Sequence, residues 1–315
     1  MLKILAAAVL STIGLGMSPT FAAYPERPIE IIYGFPPGND TDSLIRLAAA
    51  GMSKHLGVPV AIINKPGGGG VVGGAEAARA KPDGYTVGLF TIGSGLTQII
   101  AGNTPYKSSD LAPVGMFIST ALILASRGDA PYKDLKELAR AAKLKPPVIG
   151  IYGPAGAPTL AVQMIAAADG WSFKGVPFPN PNFTNLQSGD ADLITAGALM
   201  LQPQIKSGQV RVLVAMTPNR IPGLPDVPTV SEAGYGPKIS LWSGLFAPAG
   251  TPKEAIQKLS EALAAALKDP NFIETATKTG NIPSYMGPDA YAAQLKQDEA
   301  VFRPIMDKAG LIKKP

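Results

Sequence analysis

The chain is poor in the side chains that do covalent chemistry. It has no cysteine and a single histidine, which removes thiolate catalysis, thiolate metal sites and disulfides together. The histidine, His55, stands in Lys54-His55-Leu56-Gly57, where cations complement a helix C-terminus and a glycine caps it. Capping is therefore its expected role. Ser94, in Gly93-Ser94-Gly95, has a nucleophile's setting but no base to activate it. An exported hydrolase built on Ser94 would have to show turnover of ester or amide substrates. Asn39-Asp40-Thr41-Asp42 copies part of a calcium loop but lacks its glycine and distal glutamate, so no metal is expected. Gly68-Gly69-Gly70-Val71-Val72-Gly73 matches a dinucleotide fingerprint by letter. The strand expected over 85–91, which should end in the ribose-binding acid, contains no Asp or Glu, so no cofactor is expected either. Asn182-Phe183-Thr184 is a formal glycosylation acceptor, read here as binding or turn chemistry.

What remains is non-covalent chemistry by the backbone, centred on residues 29–47. A β-branched apolar run over 29–35 meets Pro36, Pro37 and Gly38, then Asn39-Asp40-Thr41-Asp42, then a helical pattern. Proline offers no N–H to a strand ladder and ends it. Thr41 or Asp40 is the expected helix N-cap, and Asp42 in the first turn suits the positive end of the helix dipole. A strand, a short turn and a helix start leave several N–H groups pointing at one spot, which attracts anions, carboxylates included.

The elements that must position this spot follow from the rest of the chain. At 315 residues and 46% hydrophobic content there is enough for one large or two medium domains. Lys3 precedes an apolar run over 4–17, too short for an ordinary membrane anchor. Pro19, Thr20 and Ala22 then offer a signal-peptidase site before Ala23. Residues 1–22 are read as a signal peptide and the mature protein as exported and soluble. Net charge is +5 with both signs mixed. No Lys/Arg cluster of the kind nucleic acid requires is present, so nucleic acid is not an expected partner.

Leu44, Ala48, Met52 and Leu56 recur at helical spacing. A second strand is expected over 58–63, then the Gly67–Gly70 run, a small-residue helix over 71–80 and a third strand over 85–91. Strands followed by Gly-rich turns and helices are the grammar of a parallel α/β sheet, whose ligands sit beyond the strands' carboxyl ends. Residues 111–127 read as extended with a bend at Gly115, leading to a helix over 135–142. The grammar then repeats: a strand over 148–152, a turn over 153–158, Thr159 capping a helix over 160–168, and a strand over 173–178. Two halves of one design suggest two lobes. The segment 239–247 is expected to cross back between them. Thr251-Pro252-Lys253-Glu254 reads as a capping box, and the last helix as bent near Pro304. The turns at the strand ends contain no arginine, so a carboxylate held there would rely on N–H groups, helix dipoles and water.

Several motifs together resemble the tripartite tricarboxylate transporter receptor family, also called Bug proteins. They are Tyr24-Pro25-Glu26-Arg27-Pro28-Ile29, Phe35-Pro36-Pro37-Gly38 with Thr41-Asp42, Asn64-Lys65-Pro66 with the four glycines, and Pro82-Asp83-Gly84-Tyr85-Thr86. Tyr152-Gly153, the 204–211 segment, the 226–234 segment and Ala247-Pro248-Ala249-Gly250-Thr251-Pro252 match too. The resemblance covers essentially the whole mature chain. It implies an α/β, two-lobed, type II periplasmic-binding-protein (flytrap) fold with a parallel-rich sheet in each lobe and C-terminal helices on the first lobe. The implied boundaries are 23–122 for the first part of lobe 1, 123–239 for lobe 2 and 240–315 for the return to lobe 1. The implied function is a monomeric, non-enzymatic periplasmic receptor that captures a small organic carboxylate, di- or aromatic, and hands it to membrane permease subunits. A ligand-presenting partner of a membrane sensor kinase is the alternative; a neighbouring permease gene pair or kinase gene would separate the two. Carried over residue by residue, ligand contact falls on Phe35, Gly38, Asn39, Asp40 and Thr41, on Ser94, and on the facing Ala155, Gly156, Ala157 and Thr159, with Asn180 and Asn182. The chain departs from the family pattern at Asn39 and Asp40 and at Pro179-Asn180-Pro181-Asn182-Phe183, adding side chains where bare backbone is usual. Asp40 is expected either to disfavour a second carboxylate or to accept a hydroxyl or amine. Phe178 and Phe183 are candidate walls for an aromatic or aliphatic ligand, with core packing the expected job of Phe178.

Overall fold

The computed structural model describes residues 24–178, 181–236, 238 and 240–313. The expected export segment, 1–22, and the candidate Asn180 lie outside these residues. The β-branched run opens the fold as β1 (Ile29–Tyr33). Ile29, Ile31 and Tyr33 join one apolar cluster while Ile32 joins another. The strand is thus covered on both faces, which is why it reads as continuously apolar. Then come α1 (Asp40–Leu56), β2 (Val60–Asn64), α2 (Val71–Ala78) and β3 (Thr86–Thr91). A π-helical turn, Gly93–Thr97, runs into the short α3 (Gln98–Ile100). β1 pairs in parallel with both β2 and β3.

The long extended segment divides into β4 (Leu111–Thr120) and β5 (Leu122–Arg127). The division falls at Ala121, not at the expected Gly115, because the two strands belong to different sheets. Gly115 stays inside β4, where a Cβ would come 3.1 Å from the Met286 carbonyl and 3.2 Å from the Leu263 side chain. The second lobe follows: α4 (Leu135–Leu144), β6 (Val148–Ile151), α5 (Ala157–Asp169), β7 (Lys174–Pro177), α6 (Phe183–Gln187), β8 (Leu193–Gly197), α7 (Gln202–Lys206) and β9 (Val210–Ala215). The chain returns as β10 (Trp242–Pro248) and ends with α8 (Lys253–Ala266), α9 (Pro270–Lys278), β11 (Asn281–Met286) and α10 (Pro288–Lys308).

The first sheet has the order β11-β4-β10-β3-β1-β2 and the second β7-β6-β8-β5-β9. Both are mixed. The strand-turn-helix repeats supply the parallel pairs, β2-β1-β3 and β7-β6-β8. The strands entering and leaving by the crossovers, β4, β5, β9, β10 and β11, pair antiparallel. Ala121 joins the lobes directly. Its N–H donates to the Gly280 carbonyl of the first lobe, and its carbonyl accepts from the Ala198 N–H of the second. The other crossing runs beside it, with the Thr120 N–H on the Leu241 carbonyl. α8 packs on α1, and α9 on α1 and β11, while α10 packs on β4 and also reaches α5 of the second lobe. Pro304 lies inside α10, which continues through it to Lys308.

Three caps differ from expectation. Asn39, not Thr41 or Asp40, caps α1, its Oδ1 accepting from the Asp42 N–H at 2.9 Å. Gly156, not Thr159, starts α5. The Thr251 hydroxyl donates to the Pro248 carbonyl instead of forming a capping box, and α8 begins after Pro252 with no side-chain cap. Thr159 and Thr251 each bond a backbone carbonyl of their own turn instead, and Thr41 binds at Tyr33.

Candidate functional site

Three strand ends of the first lobe meet at one point. Gly34, just after β1, lies so near Gly70 that a Cβ there would sit 2.6 Å from the Gly70 Cα. A Cβ on Gly70 would meet the Phe35 ring at 2.9 Å and the Ser94 side chain at 3.2 Å. The β1 loop, the four-glycine turn and the π-helical turn are thus pressed together, with Phe35 and Ser94 facing the same glycine. Ser94 is buried, and its carbonyl accepts from the Tyr106 hydroxyl at 2.9 Å.

The β1 loop is braced from beneath by a carboxylate. Asp42, in the first turn of α1, is only 3% exposed. It accepts from the Gly38 N–H (3.0 Å), from Arg46 Nε and a second guanidinium nitrogen (2.9 and 3.1 Å) and from Asn64 Nδ2 (2.8 Å). Burial pulls its pKa up, but these donors and the Arg46 charge outweigh burial and hold it below the ordinary carboxylate value. Asn64 also donates to the Phe35 carbonyl and accepts from Arg46, so the end of β2 locks the same loop. Gly38 has φ +89°, a left-handed conformation that aims its N–H at Asp42 and that glycine adopts without cost.

This bracing consumes most of the polar side chains expected to meet ligand. Asn39 Oδ1 accepts from Tyr33 Oη as well as from the Asp42 N–H, and its Nδ2 donates to the Pro36 carbonyl. The Thr41 hydroxyl also binds at Tyr33. What Asn39 and Thr41 offer is backbone: the N–H groups of Asn39, Asp40 and Thr41 have no acceptor among the described residues. Asp40 alone in this loop leaves its side chain uncommitted. Its carboxylate makes no hydrogen bond or ion pair among the described residues, and partial burial raises its pKa.

The second lobe repeats the arrangement. The turn 152–156 brings Gly156 to the start of α5. The Thr159 hydroxyl, fully buried, donates to the Gly153 carbonyl at 2.7 Å. Ala157 points its methyl into the core. Here too side chains serve the turn and amides are left over: the N–H groups of Ala155, Ala157 and Thr159 have no acceptor among the described residues. Asn182 caps α6, accepting from the Thr184 N–H at 2.9 Å while its own N–H donates to Asn185 Oδ1. Phe183 packs against the second-lobe core, and the Phe178 ring lies against Gly150, so packing accounts for both rings.

One residue joins the two lobes' loops, and the sequence reading did not place it in the site. Tyr152, at the end of β6, is 40% exposed, yet burial pushes its hydroxyl up to about 12 and the Asp40 charge adds to the rise. The Asp40 charge felt at Tyr152 brings the loop after β1 and the loop after β6 near each other. The signal available in sequence was its position, a tyrosine at the carboxyl end of a parallel strand. The four loops at these strand ends, 34–41, 67–70, 92–97 and 152–159, contain no lysine or arginine and one charge, Asp40. Among the described residues no cluster of three or more metal-ligating side chains occurs, and no helix is long and apolar enough to cross a membrane. His55 lies in the last turn of α1, beside the Gly57 cap.

Two lobes joined by crossing strands, with amide-rich turns on the inner edges, define a type II periplasmic solute-binding protein. Residues 44–311 match the family model described as tripartite tricarboxylate transporter family receptor, and the chain belongs to that family. A UPF0065 protein of Agrobacterium vitis, from the TAR-I ttuE-ttuC' intergenic region, is 34% identical over 267 residues, covering 83% of this chain and 77% of its own. BugT of Bordetella pertussis is 29% identical over 290 residues, covering 89% and 88%. Among solved structures, a TctC solute-binding protein from Polaromonas superposes with TM-score 0.81 at 29% identity, covering 90% of this chain and 99% of that one. MatC of Rhodopseudomonas palustris with bound malate gives 0.72 at 27% (90% and 99%). R. palustris Rpa4515 with adipate gives 0.75 at 25% (91% and 98%). The protein is a receptor and not an enzyme, of a family whose members are periplasmic.

Proposed function

We propose that this receptor captures a small organic carboxylate in the cleft between its lobes and presents the closed form to the permease subunits of a tripartite transporter. The observation that carries the reading is that each lobe leaves unpaired N–H groups at the start of the helix that follows its first parallel strand, those of Asn39, Asp40 and Thr41 in one lobe and of Ala155, Ala157 and Thr159 in the other; the Asp40 charge felt at Tyr152 supports their nearness. An acid held there bridges both lobes and favours the closed form. The lobe boundaries fall near residues 122 and 240, a division supported by Ala121 and the neighbouring return strand. The receptor acts as a monomer after export. The malate and adipate of the two Rhodopseudomonas proteins support an acid as ligand. The ligand contacts are the N–H groups of Asn39, Asp40, Thr41, Ala155, Ala157 and Thr159, with Phe35 and Ser94 as wall and floor and Asn182 at the second-lobe side.

A thermal-shift screen of the purified mature chain against aliphatic, hydroxy-, amino- and aromatic carboxylic acids tests this. A true ligand raises Tm progressively with concentration, by about 2.7 kcal/mol of stabilisation at a hundred times its Kd. The absence of any shift across the panel at millimolar concentration would overturn the reading.

A further inference from the structure

We infer that Asp40 makes this cleft selective for a monocarboxylic acid that carries a hydroxyl or ammonium group at its far end, and sets it against dicarboxylates. The inference rests on the receptor reading above and adds the ligand's second functional group. In the 36–41 loop every other polar side chain is committed: Asn39 to Tyr33, Pro36 and the α1 cap, and Thr41 to Tyr33. The nearest guanidinium, Arg46, is spent on Asp42 and Asn64. Asp40 is exposed, has no hydrogen-bonding or ionic partner among the described residues, and opens α1 beside the unpaired N–H groups of Asn39, Asp40 and Thr41.

The charge inventory then decides what fits. The four cleft loops carry one negative side chain and no positive one. A ligand's first carboxylate has a place at the second-lobe turn, where the Ala155, Ala157 and Thr159 amides and the α5 dipole face it with no acid beside them. A second carboxylate would approach the first-lobe amides with the fixed Asp40 charge alongside, and no cation offsets that repulsion. A hydroxyl meets the same surface with both of its functions used: its oxygen accepts from the Asn39, Asp40 or Thr41 N–H, and its hydrogen goes to the Asp40 carboxylate. An ammonium pairs with Asp40 directly, a charge-assisted hydrogen bond.

The test is calorimetric titration of the mature chain with two matched series: succinate, 4-hydroxybutyrate and 4-aminobutyrate, then adipate, 6-hydroxyhexanoate and 6-aminohexanoate. The hydroxy or amino member should bind at least ten-fold more tightly than the diacid of its length. Asp40→Asn should shift that ratio at least ten-fold toward the diacid, about 1.4 kcal/mol. Asp40→Gly should move it the same way, and provides the check if the first variant loses its native melting transition. A diacid that leads its series in the unaltered protein overturns the inference, as does a ratio that neither variant moves by more than three-fold. If none of the six acids gives heat while other acids of the thermal-shift panel bind, this inference falls and the receptor reading stands. If nothing in the panel binds, both fall.

Discussion

Asp298 offers a perturbation whose sign is unusual. It lies in α10, 3% exposed, with Trp242 Nε1 donating to one carboxylate oxygen at 2.7 Å and Gln294 Nε2 to the other at 2.9 Å. No cation pairs with it among the described residues. Burial raises its pKa from the ordinary 3.8 to about 6, the two hydrogen bonds offsetting only part of the rise. Because the folded protein holds the proton more tightly than the unfolded chain, stability falls as pH rises from 3.8 to about 6, and the loss persists above that. At about 1.4 kcal/mol per pH unit, the gap amounts to about 3 kcal/mol at neutral pH. Asp298→Asn removes the charge and keeps the shape, and with the Gln294 amide turned over both hydrogen bonds survive. The variant should therefore be more stable than the parent above pH 6, by about 1–3 kcal/mol, a Tm rise of a few degrees for a chain of this size. Melting curves of ligand-free parent and variant between pH 4 and 8 read this directly. Their difference should grow from near zero at pH 4 to a plateau above pH 6.5. A difference independent of pH, or a variant less stable at pH 7.5, would refute the reasoning.

Three further substitutions probe the packing around the site. Asp42→Asn should cost about 1–3 kcal/mol at pH 7, discounted because Arg46 is half exposed. The lowered pKa of Asp42 means its contribution is present above the ordinary value and lost as pH falls through the folded one, so the deficit in urea unfolding should shrink below about pH 4. Gly70→Ala places a methyl 2.9 Å from the Phe35 ring at φ +95°; it should destabilise by about 1–3 kcal/mol and weaken acid binding, and Phe35→Ala in the same chain should restore part of the stability. Tyr291→Phe removes a buried hydroxyl that has no partner, so melting should show no loss and a gain of up to about 1 kcal/mol; a loss of 2 kcal/mol would mean the hydroxyl is satisfied.

The strand-turn-helix units were legible because their signals are local. β1, β2, β3 and β6 are apolar runs closed by glycine or proline, and α1 shows its buried face in Leu44, Ala48 and Met52. The sheets' antiparallel members were not, because pairing across a crossover leaves no mark on either strand alone. Nothing in Leu111–Thr120 says that its partner is Trp242–Pro248, more than a hundred residues on. The same limit explains Ala121. A hinge made by one residue's N–H on one lobe and its carbonyl on the other looks, in sequence, like any alanine in a strand, whereas Gly115 advertises a bend that tight packing had already claimed.

At the site, the polar residue types that mark the loops in sequence turn out to hold the loops' own conformation. Asn39, Thr41, Thr159 and Asn182 carry the oxygens and amides that suggest ligand contact, and each spends its side chain on its own turn. That is a physical necessity rather than an accident. Amides can be left unpaired toward a cleft only if something else holds the turn's conformation, and short polar side chains do that holding. The same reasoning isolates Asp40. In a loop where the neighbouring polar side chains keep the backbone in place, one carboxylate without a hydrogen-bonding partner adds only its charge to the helix start, and ligand choice is where its further effect is sought.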